Sequence, residues 1–176
     1  MRILKSEEEQ KVMEKLEYYI GDNTKELLSI YNLRLNNQRI FLATKELMKA
    51  SSQLGRDQIA VCGITLGKFT KGNNFRITIT ALHTLHKYAL YKAWIKSSAE
   101  MNFLYGNNAL KSHISKVSED VPINAGVFVY SQNQVPLGFG VMSVNPASYA
   151  KARGGDAIIL RQADNGEYIR NETNIS

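Results

Sequence analysis

Phe103-Leu104-Tyr105-Gly106-Asn107 with Lys111-Ser112 just beyond it, then Pro136-Leu137-Gly138-Phe139-Gly140, then Gln162-Ala163-Asp164-Asn165-Gly166-Glu167-Tyr168-Ile169-Arg170: these strings, in this order, decide how the last third of the chain is read. None of them sets a nucleophile beside a base, and none holds a cluster of metal ligands. They mix glycine turns, apolar strand positions and scattered polar groups. Around them, strands are predicted at 126–131, 135–143 and 156–163, with turns at Gln132-Asn133 and Asp164-Asn165-Gly166. A short helix is expected from Ser97 through Tyr105, with Ser97 and Glu100 at the spacing of a capping box. Short, closely spaced strands with glycines at the bends describe a compact barrel-like β module of about 80 residues, a binding module rather than a catalytic pocket.

Upstream of this module the pattern changes. Ser6 and Glu9 stand at capping-box spacing, Val12, Leu16, Tyr19 and Ile20 then share one helical face, and Gly21 can end the helix. Residues 31–35 and 39–42 alternate, and Asn36-Asn37 between them suits a tight hairpin because Asn tolerates positive φ. Thr44 can cap a second helix to about Leu54. Strands follow at 58–66 and 75–80, joined through a turn at Gly72-Asn73-Asn74. These residues form an α+β domain with an antiparallel sheet, expected over 1–94, and the β module follows over 95–176. No flexible linker separates them, because 88–96 is itself strand-like.

Composition bounds the function classes. The chain has 176 residues and one cysteine, Cys62, in an apolar run, so an internal disulfide is excluded and a reducing compartment is expected. No apolar stretch nears the roughly 20 residues of a membrane helix, and the polar, acidic N-terminus does not look like a secretory signal. Net charge is +6. Residues 1–94 hold 15 Lys+Arg against 9 Asp+Glu, a difference of +6, whereas 95–176 hold 7 against 7. A basic chain of this kind suits a polyanion such as nucleic acid, and any basic face on the C-terminal half must be local.

The constellations that tempt a catalytic reading fail on spacing. Gly63-Ile64-Thr65-Leu66-Gly67-Lys68-Phe69-Thr70 has three residues between its glycines where a phosphate loop needs four, and Phe69 stands where the magnesium-binding hydroxyl belongs. His83 and His86 lack a third ligand, so no metal is expected. Asp57, Asp120, Asp156 and Asp164 read as caps of turns and strand starts, and no acid–base pair can be assembled from them. Lys151 and Arg153, ahead of Gly154-Gly155, form the best basic cluster of the C-terminal half; phosphate contact and a solvated loop are the two readings open. Lys111 and Lys116 are secondary candidates, as are Lys68 and Lys71 flanking Phe69 at an expected turn. Tyr105 and Tyr149 are either base-stacking platforms or core.

Together with the segment 14–21, Gly67 through Lys71, Trp94-Ile95-Lys96 and Ala99-Glu100, the opening strings resemble the Nip-seven family of large-subunit ribosome-biogenesis factors. The resemblance spans the whole chain. It implies an N-terminal α+β domain and a C-terminal PUA domain, a β-barrel-like fold with a mixed sheet. It implies a nuclear, nucleolar protein that binds pre-rRNA, with a preference for uridine-rich single strands, and that docks to other pre-ribosomal assembly factors. It implies no enzymatic activity and no cofactor; the chain is expected to be a monomer. Archaeal relatives carry a denser basic cluster on the PUA face than Lys151 and Arg153, so this chain resembles the eukaryotic members, with weaker intrinsic RNA affinity. The alternative is a nucleolar protein scaffold that never touches RNA. An RNA-modifying enzyme with an appended PUA domain would need a catalytic aspartate or a cofactor motif, which the N-terminal half lacks.

Overall fold

Leucine and isoleucine positions explain the first element. The computed structural model, which describes residues 1–54, 59 and 61–171, has helix α1 over Ser6–Ile20, with Val12, Leu16, Tyr19 and Ile20 fully buried or nearly so. A fully buried side chain of this size contributes about 1.5–3 kcal/mol. The helix begins one residue earlier than its capping signal predicts. Lys5 is the N-cap, and the Glu8 carboxylate accepts the Lys5 backbone N–H at 2.8 Å. Arg2 donates to both Glu8 oxygens at 2.8 and 2.6 Å, and this pairing, followed by the Lys5 N–H, holds the Glu8 carboxyl at about 2. Ser6 and Glu9 therefore do not form the expected box. Gly21 follows at φ 56°, and helix α2 (Thr24–Ile30), which the sequence reading did not anticipate, leads into the first strand.

Strands β1 (Tyr31–Asn36) and β2 (Arg39–Thr44) form the expected hairpin, but its turn is Asn37-Gln38, at φ 45° and 67°, and not Asn36-Asn37. Burial decides the register. Leu33 faces Leu42 and Leu35 faces Ile40, all four buried, and that pairing sets Asn36 opposite Arg39. Thr44 caps helix α3 (Lys45–Ser52) as predicted, its Oγ1 accepting the Leu47 N–H at 3.2 Å. Asp57 and residues 58 and 60 of the strand expected at 58–66 lie outside the described residues; residues 59 and 61–63 are not strand, and β3 runs Ile64–Phe69, starting later and ending later than expected. β4 is Phe75–Ile77 and stops short of residue 80. Thr80 instead donates its hydroxyl to the Thr65 carbonyl at 2.7 Å, and Ile79–Ala81 tighten into a 3₁₀ turn. The order β1-β2-β3-β4 is an antiparallel sheet.

The chain divides by contacts into Met1–Glu17 with Gly21–Ala81, and Tyr18–Ile20 with Leu82–Ser176. In the second unit, helix α4 (Leu82–Leu85) precedes β5 (Lys92–Ile95), and α5 (Ser97–Leu104) precedes the two-residue β6 (Ala109–Leu110). α5 also starts one residue early: Lys96 is its N-cap, and the Ser97 hydroxyl bonds Gln132 Oε1 at 3.1 Å, so the expected Ser97–Glu100 box is not made. β7 (Ile114–Val117), β8 (Gly126–Tyr130) and β9 (Pro136–Met142) follow, then helix α6 (Pro146–Lys151), β10 (Ala157–Asp164) and α7 (Glu167–Arg170). The sheet order is β6-β10-β9-β8-β5-β7, with β5 and β8 parallel and the other pairs antiparallel. β6 and β7 are its two edges, yet only the 3₁₀ turn Lys111–His113 separates them in the chain. That turn brings the edges together and nearly closes the sheet into a barrel. Its interior is packed with Ala93, Ile95, Phe103, Val127, Val129 and Ile158.

The opening strings meet at one buried carboxylate. Asp164 has no exposed surface. It accepts from Arg161 Nη1 at 2.6 Å, from Arg170 Nη2 at 2.9 and 3.0 Å, and from the Gly166 N–H at 2.9 Å. Arg170 also donates to the Leu104 carbonyl, which ties α7 to the end of α5. Asn165 reaches the middle string, donating its backbone N–H to Leu137 and its side-chain amide to Pro136. Two glycines make room: a Cβ on Gly166 would lie 1.9 Å from the Leu104 oxygen, and one on Gly138 would lie 2.3 Å from the Ala163 oxygen. The strings thus hold the barrel together rather than form a pocket. Replacing Asp164 with Asn should leave Arg170 without its counter-charge and Arg161 with Glu167 alone, and cost about 3 kcal/mol, the low end for a broken buried pair because both guanidinia keep some exposure. Urea denaturation of the variant against the unchanged chain measures this.

Candidate nucleic-acid interface

The turn that closes the barrel also gathers its cations. Asn145 caps α6, its Oδ1 accepting the Ser148 N–H at 2.7 Å, and Pro146 sits in the first helical turn. Lys151 is the last residue of this helix, so it stands at a helix end and not in a loop. The bend beyond it is fixed by Asp156, whose carboxylate accepts the Arg153 backbone N–H at 2.7 Å. The closing turn then hangs on the bend: Lys111 N–H donates to the Asp156 carbonyl at 2.8 Å and Ser112 N–H to the Gly154 carbonyl at 3.0 Å. Lys111 Nζ lies 3.1 Å from the centroid of the Tyr149 ring, a cation–π contact. Lys96 joins from the start of α5, its Nζ donating to the Ser112 carbonyl at 2.8 Å.

Lys111, Lys151 and Arg153, named from sequence, are therefore brought to one edge, and Lys96 is added to them. Lys96 gave no sequence signal, because it stands 15 residues from Lys111 and meets it only through the barrel closure. Lys151, Arg153, Gly154 and Gly155 are exposed. A Cβ on Gly155 would meet nothing within 4 Å, so the backbone here is open to a close approach. Tyr149 is half-buried against the core and faced by Lys111, so it supports that cation rather than offering a free stacking face. Tyr105 is 68% exposed. The other C-terminal arginines, Arg161 and Arg170, are held by Asp164, and Arg161 also by Glu167 at 2.8 Å. This local neutralisation leaves the seam with most of the free positive charge of a half-chain whose sum is zero.

The remaining candidates sit elsewhere. Lys116, on β7, lies 5.4 Å from the centroid of the Trp94 ring; Trp94 stacks on Tyr130 at 6.0 Å, and Lys92 faces the other end of this array at 5.8 Å. Lys68 and Lys71 belong to the first unit. Lys68 is not at a turn, as expected, but inside β3, because Gly67 must pack under β4: a Cβ there would lie 2.2 Å from the Arg76 oxygen. The same constraint removes any phosphate loop from Gly63 to Thr70. His86 packs edge-on against Tyr130 at 6.1 Å, and its carbonyl accepts the Tyr130 hydroxyl at 2.9 Å. Burial pushes the Tyr130 phenol up to about 12. Burial, then the positive fields of His83, Lys87 and Lys92, push His86 below its ordinary value.

Comparison with known proteins agrees with this architecture. Residues 1–79 match the model of the NIP7/UPF0113 pre-PUA domain, and residues 91–173 match that of the UPF0113 PUA domain. The chain belongs to the NIP7 family. Its relatives include the 60S ribosome subunit biogenesis protein NIP7 of Saccharomyces cerevisiae, 43% identical over 98% of this chain and 97% of that one. The Xenopus laevis homologue is 41% identical over the full length of both. Among solved structures, a hypothetical protein from Pyrococcus horikoshii covers 98% of both chains at a TM-score of 0.63 and 12% identity. A PUA-domain protein from Aeropyrum pernix covers 96% of this chain and 87% of its own at 0.58 and 14%. At such identities these two speak for the fold alone.

His86 supplies a pH dependence. A base whose folded value is depressed binds fewer protons folded than unfolded, so stability is complete above about pH 6.5 and declines as pH falls through the depressed value. The effect should be shallow, because the ring keeps solvent access. His86→Gln should flatten the slope of the urea midpoint between pH 7 and 5.

Proposed function

We propose that this chain is a non-enzymatic RNA-binding factor in the assembly of the large ribosomal subunit, acting in the nucleolus alongside other assembly factors. In this reading the seam of its PUA unit holds single-stranded pre-rRNA by the phosphates. The observation that carries it is the convergence of Lys96, Lys111, Lys151 and Arg153 on the closing turn and its open glycine bend, while Arg161 and Arg170 are neutralised within the fold. Lys96 Nζ on the Ser112 carbonyl and Lys111 Nζ on the Tyr149 ring are held in place and lose little freedom on meeting a strand. Phosphate contacts position a nucleic acid without reading its sequence. The names borne by the NIP7 relatives support the assembly role.

Replacing Lys151 and Arg153 together with Glu should weaken binding of a uridine-rich single strand roughly tenfold or more. The slope of log affinity against log salt should flatten by about 1.4, or 0.7 for each lost phosphate. Sequence preference should change little, and the melting curve should fall only slightly, because both residues are exposed and only Lys151 stands at a helix C-terminus. Unchanged affinity and slope in a folded variant would sink the seam as an RNA site and favour a protein scaffold. Depletion in cells should delay pre-rRNA maturation and lower large subunits relative to small ones; normal large-subunit levels would remove the assembly role.

A further inference from the structure

Strand register in the first unit lines up three cations. Arg39 on β2 pairs with Lys68 on β3, and Lys68 pairs with Arg76 on β4. Directly paired residues of neighbouring strands share a face of the sheet, and adjacent strands lie about 4.8 Å apart. The three side chains therefore form a straight row across the strands, one cation per strand. Lys68 and Arg76 are exposed and Arg39 is half-buried. We propose that this row is a phosphate-binding surface of the pre-PUA unit that takes the backbone of an RNA strand crossing the sheet. The inference does not rest on the seam of the PUA unit.

Lys68 and Arg76 set two like charges opposite each other on neighbouring strands. Like charges set opposite each other in a sheet are destabilising. Among the described residues neither Lys68 nor Arg76 has an ion-pair partner. The charge of Arg76 is felt beyond the row as well: burial, then Arg76, push the Lys15 ammonium below its ordinary value. A polyanion would relieve the repulsion between Lys68 and Arg76. Two of its members are arginines, whose planar forks match phosphate oxygens two at a time. Beside Arg39 and Lys68 in the chain, Asn36, Asn37, Gln38, Thr70, Lys71 and Asn73 help to line a cleft of about 690 Å³. Arg2 and Glu8 line it too, the carboxylate neutralised by the guanidinium at 2.6 Å, and the amides with Lys71 suit sugar, phosphate and base edges. An acidic protein segment is the lesser fit, because protein interfaces centre on apolar and aromatic side chains with charge depleted from the middle.

The test uses the full chain, a fluorescent uridine-rich oligonucleotide, and poly-glutamate as the competing polyanion. Lys68→Glu, Arg76→Glu and the pair are compared in the unchanged chain and in the Lys151→Glu/Arg153→Glu background. Each single change should flatten the salt slope by about 0.7, and the pair should weaken RNA binding roughly tenfold or more in both backgrounds. Lys68→Glu should at the same time raise the thermal midpoint by roughly 1–4 °C, because Glu would then face Arg39 and Arg76. A gain in stability with lost RNA binding is the signature of a functional row. Lys68→Gln, which only removes charge, should flatten the slope equally with a smaller loss of affinity. Unchanged affinity and slope in both backgrounds would overturn the proposal, as would poly-glutamate displacing RNA at equal charge concentration. A flattened slope in the Lys151→Glu/Arg153→Glu background alone still supports the row, whatever the fate of the seam.

Discussion

The carboxylate of Asp164 has no exposed surface and receives two guanidinia and a backbone N–H. A charge so buried is tolerated only with its partners in place, and those partners come from β10 and α7, while Arg170 goes on to grip the end of α5. β10, α7 and α5 are thereby fixed to one point. With β10 fixed, its pairing with β6 and β9 follows, and with β6 fixed the turn Lys111–His113 has to bring the two edges of the sheet together. The surface that gathers cations is a consequence of that closure.

Charge is distributed by the same logic. A half-chain of zero net charge has no basic face on average. It acquires one because Asp164 and Glu167 are spent on Arg161 and Arg170, and because the Asp156 carboxylate is turned to a backbone N–H. Lys96, Lys111, Lys151 and Arg153 then remain on one edge. The first unit reaches its own cationic row differently. Its sheet register is set by the buried pairs Leu33–Leu42 and Leu35–Ile40, and Arg39, Lys68 and Arg76 fall into line as a by-product of that apolar register. Apolar burial is worth more per residue than exposed like-charge repulsion costs, so the core decides where the charges stand.

Much of this was legible in the chain. Apolar periodicity placed α1, the β1–β2 hairpin and strands β8, β9 and β10 to within a residue or two, since a buried face must repeat with the period of its element. Thr44 announced α3 because a hydroxyl at that position can take only a free N–H of the first turn. The starts signalled at Ser6 and Ser97 are one residue late, because the N-cap of each helix is an extended lysine ahead of the serine, and at Lys96 no box is made. α2, α4, α6, α7, β6 and β7 were missed. The two strands are too short to show a period, and they exist only through their partners across the sheet.

Local chemistry thus determined the elements, the family resemblance and the separate candidates Lys111, Lys151 and Arg153. Tertiary structure decided which of them meet. Lys96 and Lys111 are joined by barrel closure, Arg39, Lys68 and Arg76 by strand register, and Lys116 is directed instead to Trp94. A sequence carries propensity and period, which are properties of neighbours in the chain. Proximity between distant residues is set by which apolar faces can be buried together and which charges must be paired, and these are settled only when the whole core packs.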